Sequence, residues 1–474
     1  LAPARQGKAG LARRGRARRG RAGRGKAWRG RQGNGDALAM NVLLVNPLVR
    51  EWAAANWTPL GLLYIAAELK RLGHSAEIYD INALRPSVSE IVKKIGEAQY
   101  DWLGLTGIIT TYKNVKQLAE LSKELHPERP VVLGGPLASS IPHIIIAKVP
   151  AIDFIVQGEG ERVVLDLCRQ TEQHCAGEPI TDRIFRAERP LSNLNDLPMP
   201  DRDLVPMSIY LKNPLGAYNK RKWTDGEPVK DVISTNIMAG RGCPYACTYC
   251  AHDFMGHKYR VRSARHVMAE IVHLRQTYEV QYINFIDDEF CANRDFVLDF
   301  IEQMLWFQGE YLWPLKWGCT GRVNLVDEEL LSQLASTGCI HMSFGIESGS
   351  PKILDAMNKR VTVDQAEHAL ALAKRYIKDV ATTYMVGYPG ETEDTLKETV
   401  QFIKKVGIKP DAVFYCTPYP GTELYRNVLD AGLIQDEETY VLSLEEQGRK
   451  IALNVCGLPD EVLVAYKTKM GALP

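Results

Sequence analysis

The 474-residue chain contains no run of 18 or more apolar residues, which excludes a helix of the roughly 20 residues that a bilayer crossing needs. Even its greasiest stretch, Ile141 to Val156, carries His143, Lys148 and Asp153. Near the amino terminus there is nothing like the apolar core of a signal peptide. Apart from one group of three, the ten cysteines are scattered singly, and without a secretory context that spacing argues against a disulfide framework. Acids are almost missing from residues 1–39, where Asp36 stands alone against twelve Lys and Arg. Setting that tail aside leaves 46 basic against 56 acidic residues, so the net charge of +1 conceals an acidic body behind a basic arm.

The arm has repeats such as Ala12-Arg13-Arg14-Gly15-Arg16 and no apolar periodicity, so residues 1–39 are expected to be disordered. As an arginine-rich arm it would bind RNA electrostatically. The chain begins with Leu1, and Met40 directly precedes the first strand-like run. Translated upstream sequence or a gene-calling artefact is therefore the favoured reading.

The chain as a whole is 45% hydrophobic and 24% charged, an ordinary globular composition, and it is long enough for two or three domains. From residue 40 to 185, short apolar runs at 41–46, 76–81, 102–108, 130–133 and 153–156 alternate with helical periodicity, as between Leu62 and Leu69. That alternation predicts a doubly wound parallel sheet, which binds ligands beyond the carboxyl ends of its strands. Residues 186–230, punctuated by Pro198, Pro200, Pro206, Pro214 and Pro228, predict a linker. From 231 to 425 six strand candidates alternate with helices, at 232–238, 282–286, 315–318, 341–346, 381–386 and 412–416. Six units predict a partial (β/α) barrel with its site at the strand ends. Residues 426–474 are expected to form a short helical extension.

The first of those six strands runs into Arg241-Gly242-Cys243-Pro244-Tyr245-Ala246-Cys247-Thr248-Tyr249-Cys250. Three thiolates on one loop suit a soft metal centre. A zinc site would need a fourth protein ligand, and His252 and His257 stand close enough downstream to offer one. A [4Fe–4S] cube held by three cysteines would leave one iron open. Other strand ends point to the same mouth: Asp287-Asp288-Glu289, Gly345-Ile346-Glu347-Ser348-Gly349, the Gly387-to-Thr392 turn, and Thr417-Pro418-Tyr419-Pro420-Gly421-Thr422.

Together these motifs resemble the radical S-adenosylmethionine (SAM) superfamily over most of residues 232–425. The resemblance implies that Cys243, Cys247 and Cys250 hold a [4Fe–4S] cluster, with SAM on the open iron and neither His252 nor His257 reaching it. It places Tyr249 near the adenine, one of Asp287 and Asp288 near the methionyl ammonium, and Glu347 near the ribose or methionyl portion. Gly387 and the turn from Pro418 to Gly421 would flank the adenine through backbone. An electron donor such as flavodoxin or ferredoxin would drive cleavage of SAM to a 5′-deoxyadenosyl radical, chemistry suited to a reducing cytoplasm.

Residues 41–170 resemble the cobalamin-binding domain that precedes the barrel in one branch of that superfamily. The resemblance rests on Asn46-Pro47, the run from Thr58 to Ala67, Gly134-Gly135-Pro136 and Gly158-Glu159-Gly160-Glu161. It implies a cobalamin face built by Thr58, Thr106, Gly134, Gly135, Gly158 and Glu159. No Asp-x-His-x-x-Gly occurs, so no histidine is offered as a lower cobalt ligand.

The leading expectation is a cobalamin-dependent radical SAM methyltransferase acting on an unactivated carbon of a small-molecule or lipid-like substrate. An oxidative cyclase or rearrangement enzyme resembling the anaerobic magnesium-protoporphyrin ester cyclase is the alternative. Methylthio transfer is disfavoured because the amino-terminal domain lacks three further cysteines; Cys168 and Cys175 read as ordinary thiols. A noncatalytic, metal-stabilised RNA-binding module is the alternative of another class, and nucleic acid is not the expected partner.

Overall fold

The computed structural model describes residues 39–175, 182–213, 232–251, 253–311, 315–444 and 448–473, with Glu178 and Leu215. The basic arm and His252 therefore lie outside the described residues. Six strands form the first sheet: β1 (Asn41–Asn46), β2 (Ser75–Asp80), β3 (Trp102–Thr106), β4 (Val131–Gly134), β5 (Phe154–Gln157) and β6 (Ile184–Arg186). Their order is β2-β1-β3-β4-β5-β6, parallel throughout. Along β1, Val42 and Leu44 join one apolar core while Leu43 and Val45 join another on the opposite face. Burial on both faces is why the run reads as continuously apolar. The strand order reverses direction beside β1, so a crevice opens beyond the carboxyl ends of β1 and β3.

The second sheet holds β7 (Ser234–Ile237), β10 (Tyr282–Phe285), β11 (Lys316–Gly321), β12 (Cys339–Glu347), β13 (Asp379–Val386) and β14 (Ala412–Tyr415). Neighbours pair in chain order, all parallel. It is the curled sheet of a six-unit half-barrel, with one core running from Ile237 to Met470. Between β7 and β10 a small antiparallel pair, β8 (Gly240–Arg241) and β9 (Arg260–Val261), closes the base of the cysteine loop. Two-residue strands carry no alternation, so this pair and the three-residue β6 leave no signal in the sequence.

The expected linker is spent differently. Leu191, Leu194, Leu197, Val205, Met207 and Tyr210 are buried in the same core as Val42 and the helix Leu60–Arg71. Apolar residues set singly among prolines have no period, which hides a packed strap as a loop. Residue 214 and residues 216–231 lie outside the described residues. In the carboxyl-terminal segment, the helix Asp460–Gly471 buries Leu463 and Met470 in the barrel core.

Candidate functional site

The root of the cysteine loop hangs on Asp287. Its buried carboxylate accepts the N–H of Ala239 at 3.0 Å, the N–H of Gly240, and the Tyr259 hydroxyl at 2.7 Å. Burial pushes this carboxyl up to about 6 despite the three donors. Further along, the loop is sewn to later strand ends: Thr248 N–H donates to the Met357 carbonyl at 3.1 Å, Asn358 to the Ala246 carbonyl at 2.7 Å, and Leu424 N–H to the Thr248 carbonyl at 2.9 Å. Cys243 is half-buried, Cys247 buried and Cys250 exposed, and none of the three is in a disulfide. His257 is exposed.

Among the described residues no three His, Cys, Asp or Glu side chains converge as the cage of one metal ion. Thiolates on a single zinc would sit about 3.8 Å apart, from a Zn–S bond of about 2.3 Å, whereas a cube takes its cysteines at separate corners. The surroundings fit a polar group larger than an ion. Glu289, 4% exposed, has an Oε1 with no hydrogen-bond partner, and Arg322, 7% exposed, has both Nε and Nη2 without one. The remaining Arg322 nitrogen, Nη1, lies 3.9 Å from the Cys247 sulfur, and the guanidinium stacks 3.7 Å over the Tyr245 ring.

The other expected SAM residues ring this mouth. Asp288 is exposed and its charge acts on Cys243 and Cys250, while Asp287 faces inward. At the end of β12 the pairing with β13 slips between Gly345 and Glu347, and Glu347 adopts φ +70°. A Cβ on Gly345 would stand 2.5 Å from Glu347 Oε1, so glycine is what lets the carboxylate fold back. There it receives Lys359 Nζ at 3.3 Å, and the same ammonium donates to the Tyr249 hydroxyl at 2.9 Å. Gly387, at φ +89°, donates its N–H to the buried Glu391. Burial pushes that carboxyl up to about 7 and leaves its Oε1 unpartnered. The Pro418 carbonyl accepts the Tyr440 hydroxyl at 2.9 Å. Gly421, at φ +94°, lies against Ser140 of the first sheet's layer.

A cavity of about 450 Å³ opens at the carboxyl ends of β1, β3, β4 and β5. Thr106, Gly134, Gly135, Gly158 and Glu159 line it, and the barrel side contributes Met238, Arg241, Phe254 and Ile286. A Cβ on Gly135, at φ +82°, would meet Thr106 Oγ1 at 2.7 Å, and one on Gly158, at φ +74°, would reach 3.4 Å from the Phe254 carbonyl. Bare backbone at both points forms a floor for a broad flat ligand. In the lining, the buried Tyr64 hydroxyl has no hydrogen-bond partner.

Two of the residues expected there are engaged elsewhere. Thr58 is outside the cavity lining: its N–H and hydroxyl donate to Asn236 Oδ1 at 2.8 and 2.7 Å. Glu159 touches the cavity, but its carboxylate also ties three segments, taking Arg241 at 3.1 Å, Arg260 at 2.9 Å and the Leu191 N–H at 2.5 Å. Sequence reading passes over Arg322, Lys359 and Arg241. For Arg322 a signal exists, since it directly follows β11, whose end carries no expectation from the sequence.

Comparison with known proteins places two family models on this frame. The B12-binding domain model matches residues 48–167, and the radical SAM superfamily model residues 237–403. A relative described as an uncharacterized methyltransferase of Pyrococcus horikoshii is 29% identical, over 83% of this chain and 84% of its own. The anaerobic magnesium-protoporphyrin IX monomethyl ester cyclase of Rubrivivax gelatinosus is 28% identical, over 85% of this chain and 72% of its own. Among solved structures, the radical S-adenosylmethionine methyltransferase TsrM of Kitasatospora setae, with cobalamin and a [4Fe–4S] cluster bound, superposes with a TM-score of 0.65. At 19% identity, over 83% of this chain and 75% of that one, it shares the fold.

Proposed function

We propose that this chain, a member of the radical SAM superfamily with a B12-binding domain ahead of its barrel, is a cobalamin-dependent methyltransferase for an unactivated carbon of a small-molecule or lipid-like substrate. The observation that carries the reading is the shared cavity. Its floor is the bare backbone of the first sheet's strand ends, and its opposite wall, from Met238 to Ile286, belongs to the strands and loop that carry the cysteines. The loop that carries the cysteines thus walls the cavity through Arg241 and Phe254, which sets a cobalamin held there beside the cluster's own loop.

When bound, cluster and SAM supply a radical able to take hydrogen from carbon, and cobalamin supplies the methyl group. The chain's part is to hold, orient and shield. Cys243, Cys247 and Cys250 hold the cluster. Asp288 is assigned the methionyl ammonium in preference to Asp287, because both Asp287 oxygens are already used by the loop's own donors. Lys359, bonded to both Tyr249 and Glu347, fixes the ring and the carboxylate as one unit. The apolar lining excludes water that would quench a reactive intermediate.

The test is anaerobic incubation with SAM, cobalamin and a reductant. S-adenosylhomocysteine formed together with 5′-deoxyadenosine is the expected result. 5′-Deoxyadenosine alone sinks methyl transfer and favours a cyclase or rearrangement, a second reading that the 28%-identical cyclase supports. A protein that takes up zinc in place of iron and sulfide and leaves SAM intact would be a binding module.

A further inference from the structure

Arg322 directs a positive charge at a sulfur of the cysteine loop. It stands directly after β11, 7% exposed, with Nη1 3.9 Å from Cys247 Sγ. Tyr245, a residue of the loop itself, covers the guanidinium at 3.7 Å, a stacking that resists its swinging out to solvent. The buried Glu289 carboxylate lies close enough for the guanidinium's charge to act on it. No described carboxylate forms a salt bridge with this guanidinium, Glu289 acting on it only at longer range, and its Nε and Nη2 are buried without partners. Burying a cation with unspent donors is costly unless negative charge arrives to meet it. The negative charge that belongs here is that of the thiolates and of the cluster they would hold.

We propose that Arg322 is a positioning residue for the electron: its buried guanidinium, hydrogen-bonded to the Cys247 thiolate, raises the reduction potential of the [4Fe–4S] centre. The inference rests on the radical SAM reading of the cysteine loop. Reduction adds one negative charge to the cluster, and a fixed neighbouring cation stabilises the reduced form more than the oxidised one. Hydrogen bonds to the sulfurs act on cluster potentials in this way, and low local polarity magnifies the effect of a nearby charge. A merely structural Arg322 would prop the loop through Tyr245 and leave the potential where it was.

The experiment compares anaerobically reconstituted wild type with Arg322→Lys, Arg322→Met and Arg322→Gln. Iron and sulfide are quantified, and each protein is titrated potentiometrically without SAM, with the reduced cluster read by electron paramagnetic resonance. Wild type and Arg322→Lys, which keeps the charge, should titrate close together. Both neutral variants should lose at least tenfold in the reduction equilibrium, a fall of about 59 mV for one electron. A full cluster in a neutral variant with an unmoved midpoint overturns the proposal. So does loss of the cluster from both neutral variants, the mark of a structural role. Wild type that holds no four-iron cluster overturns the radical SAM reading itself, a separate outcome.

Discussion

Replacing Arg202 by methionine tests what joins the two sheets. The side chain comes from the proline-rich strap and is 2% exposed. Nη1 donates to Thr58 Oγ1 at 3.0 Å and Thr235 Oγ1 at 3.2 Å, and Nη2 to the Asn236 carbonyl at 2.7 Å and Glu270 at 2.9 Å. Thr58 leads into the helix Leu60–Arg71 of the first layer, Thr235 and Asn236 lie in β7, and Glu270 is on the barrel helix Ala264–Tyr278. Methionine fills most of the volume and supplies none of the four donor contacts. Removing one partner of a buried ion pair costs about 3–5 kcal/mol. Arg262 remains 2.6 Å from Glu270, so the lower end applies, about 3 kcal/mol or roughly two decades in the unfolding equilibrium. Urea unfolding of the anaerobic holoprotein, followed by fluorescence of the buried Trp102 in the first sheet and Trp317 in the second, should show both transitions moving together. Burial opposes the Glu270 charge, but Arg262 and Arg202 hold its carboxyl below the usual 4.5. Its contribution is therefore present above 4.5 and lost as pH falls through the depressed folded value. The Arg202→Met deficit should accordingly be largest near neutrality and narrow on acidification. A loss below about 1 kcal/mol, or one confined to a single reporter, would refute the reasoning.

Glu391→Gln should stabilise the protein at pH 8 relative to pH 5. The wild-type carboxyl is raised by burial from 4.5 to about 7, so its folded-state stability is full below 4.5 and lost as pH rises through 7. At about 1.36 kcal/mol per unit the gap is on the order of 1–3 kcal/mol, and thermal melts at the two pH values giving one common difference would count against it. Gly135→Val places a β-branched residue at φ +82° with its Cβ against Thr106; cobalamin binding, titrated by absorbance, should weaken at least tenfold while iron content is unchanged. Leu463→Ala removes a 2%-exposed side chain beside Gly387 and should cost about 2–5 kcal/mol, visible as early proteolysis of the carboxyl-terminal helix. Equal protease resistance would show that helix to be dispensable to the barrel.

What the sequence makes legible is local. The cysteine spacing lies within eight residues, and most of the parallel strands announce themselves as short apolar runs. The polar contacts that join the sheets have no such period: Thr58 meets Asn236 from 178 positions away, and Arg241 meets Glu159 from 82. A hydroxyl that a motif aligns with a ligand face is thus committed to a partner no spacing rule reaches. The pair Asp287-Asp288 shows where the boundary falls. Adjacent residues leaving a strand point to opposite sides, so the sequence states that one carboxylate turns inward and the other out, without saying which. The cysteine loop decides it. Its return through the β8–β9 pair buries the N–H groups of Ala239 and Gly240, and buried N–H groups require acceptors. The Asp287 oxygens meet them. The inward carboxylate is a necessity of holding the loop, and that is the ground on which the ligand role proposed above goes to Asp288 in preference to Asp287.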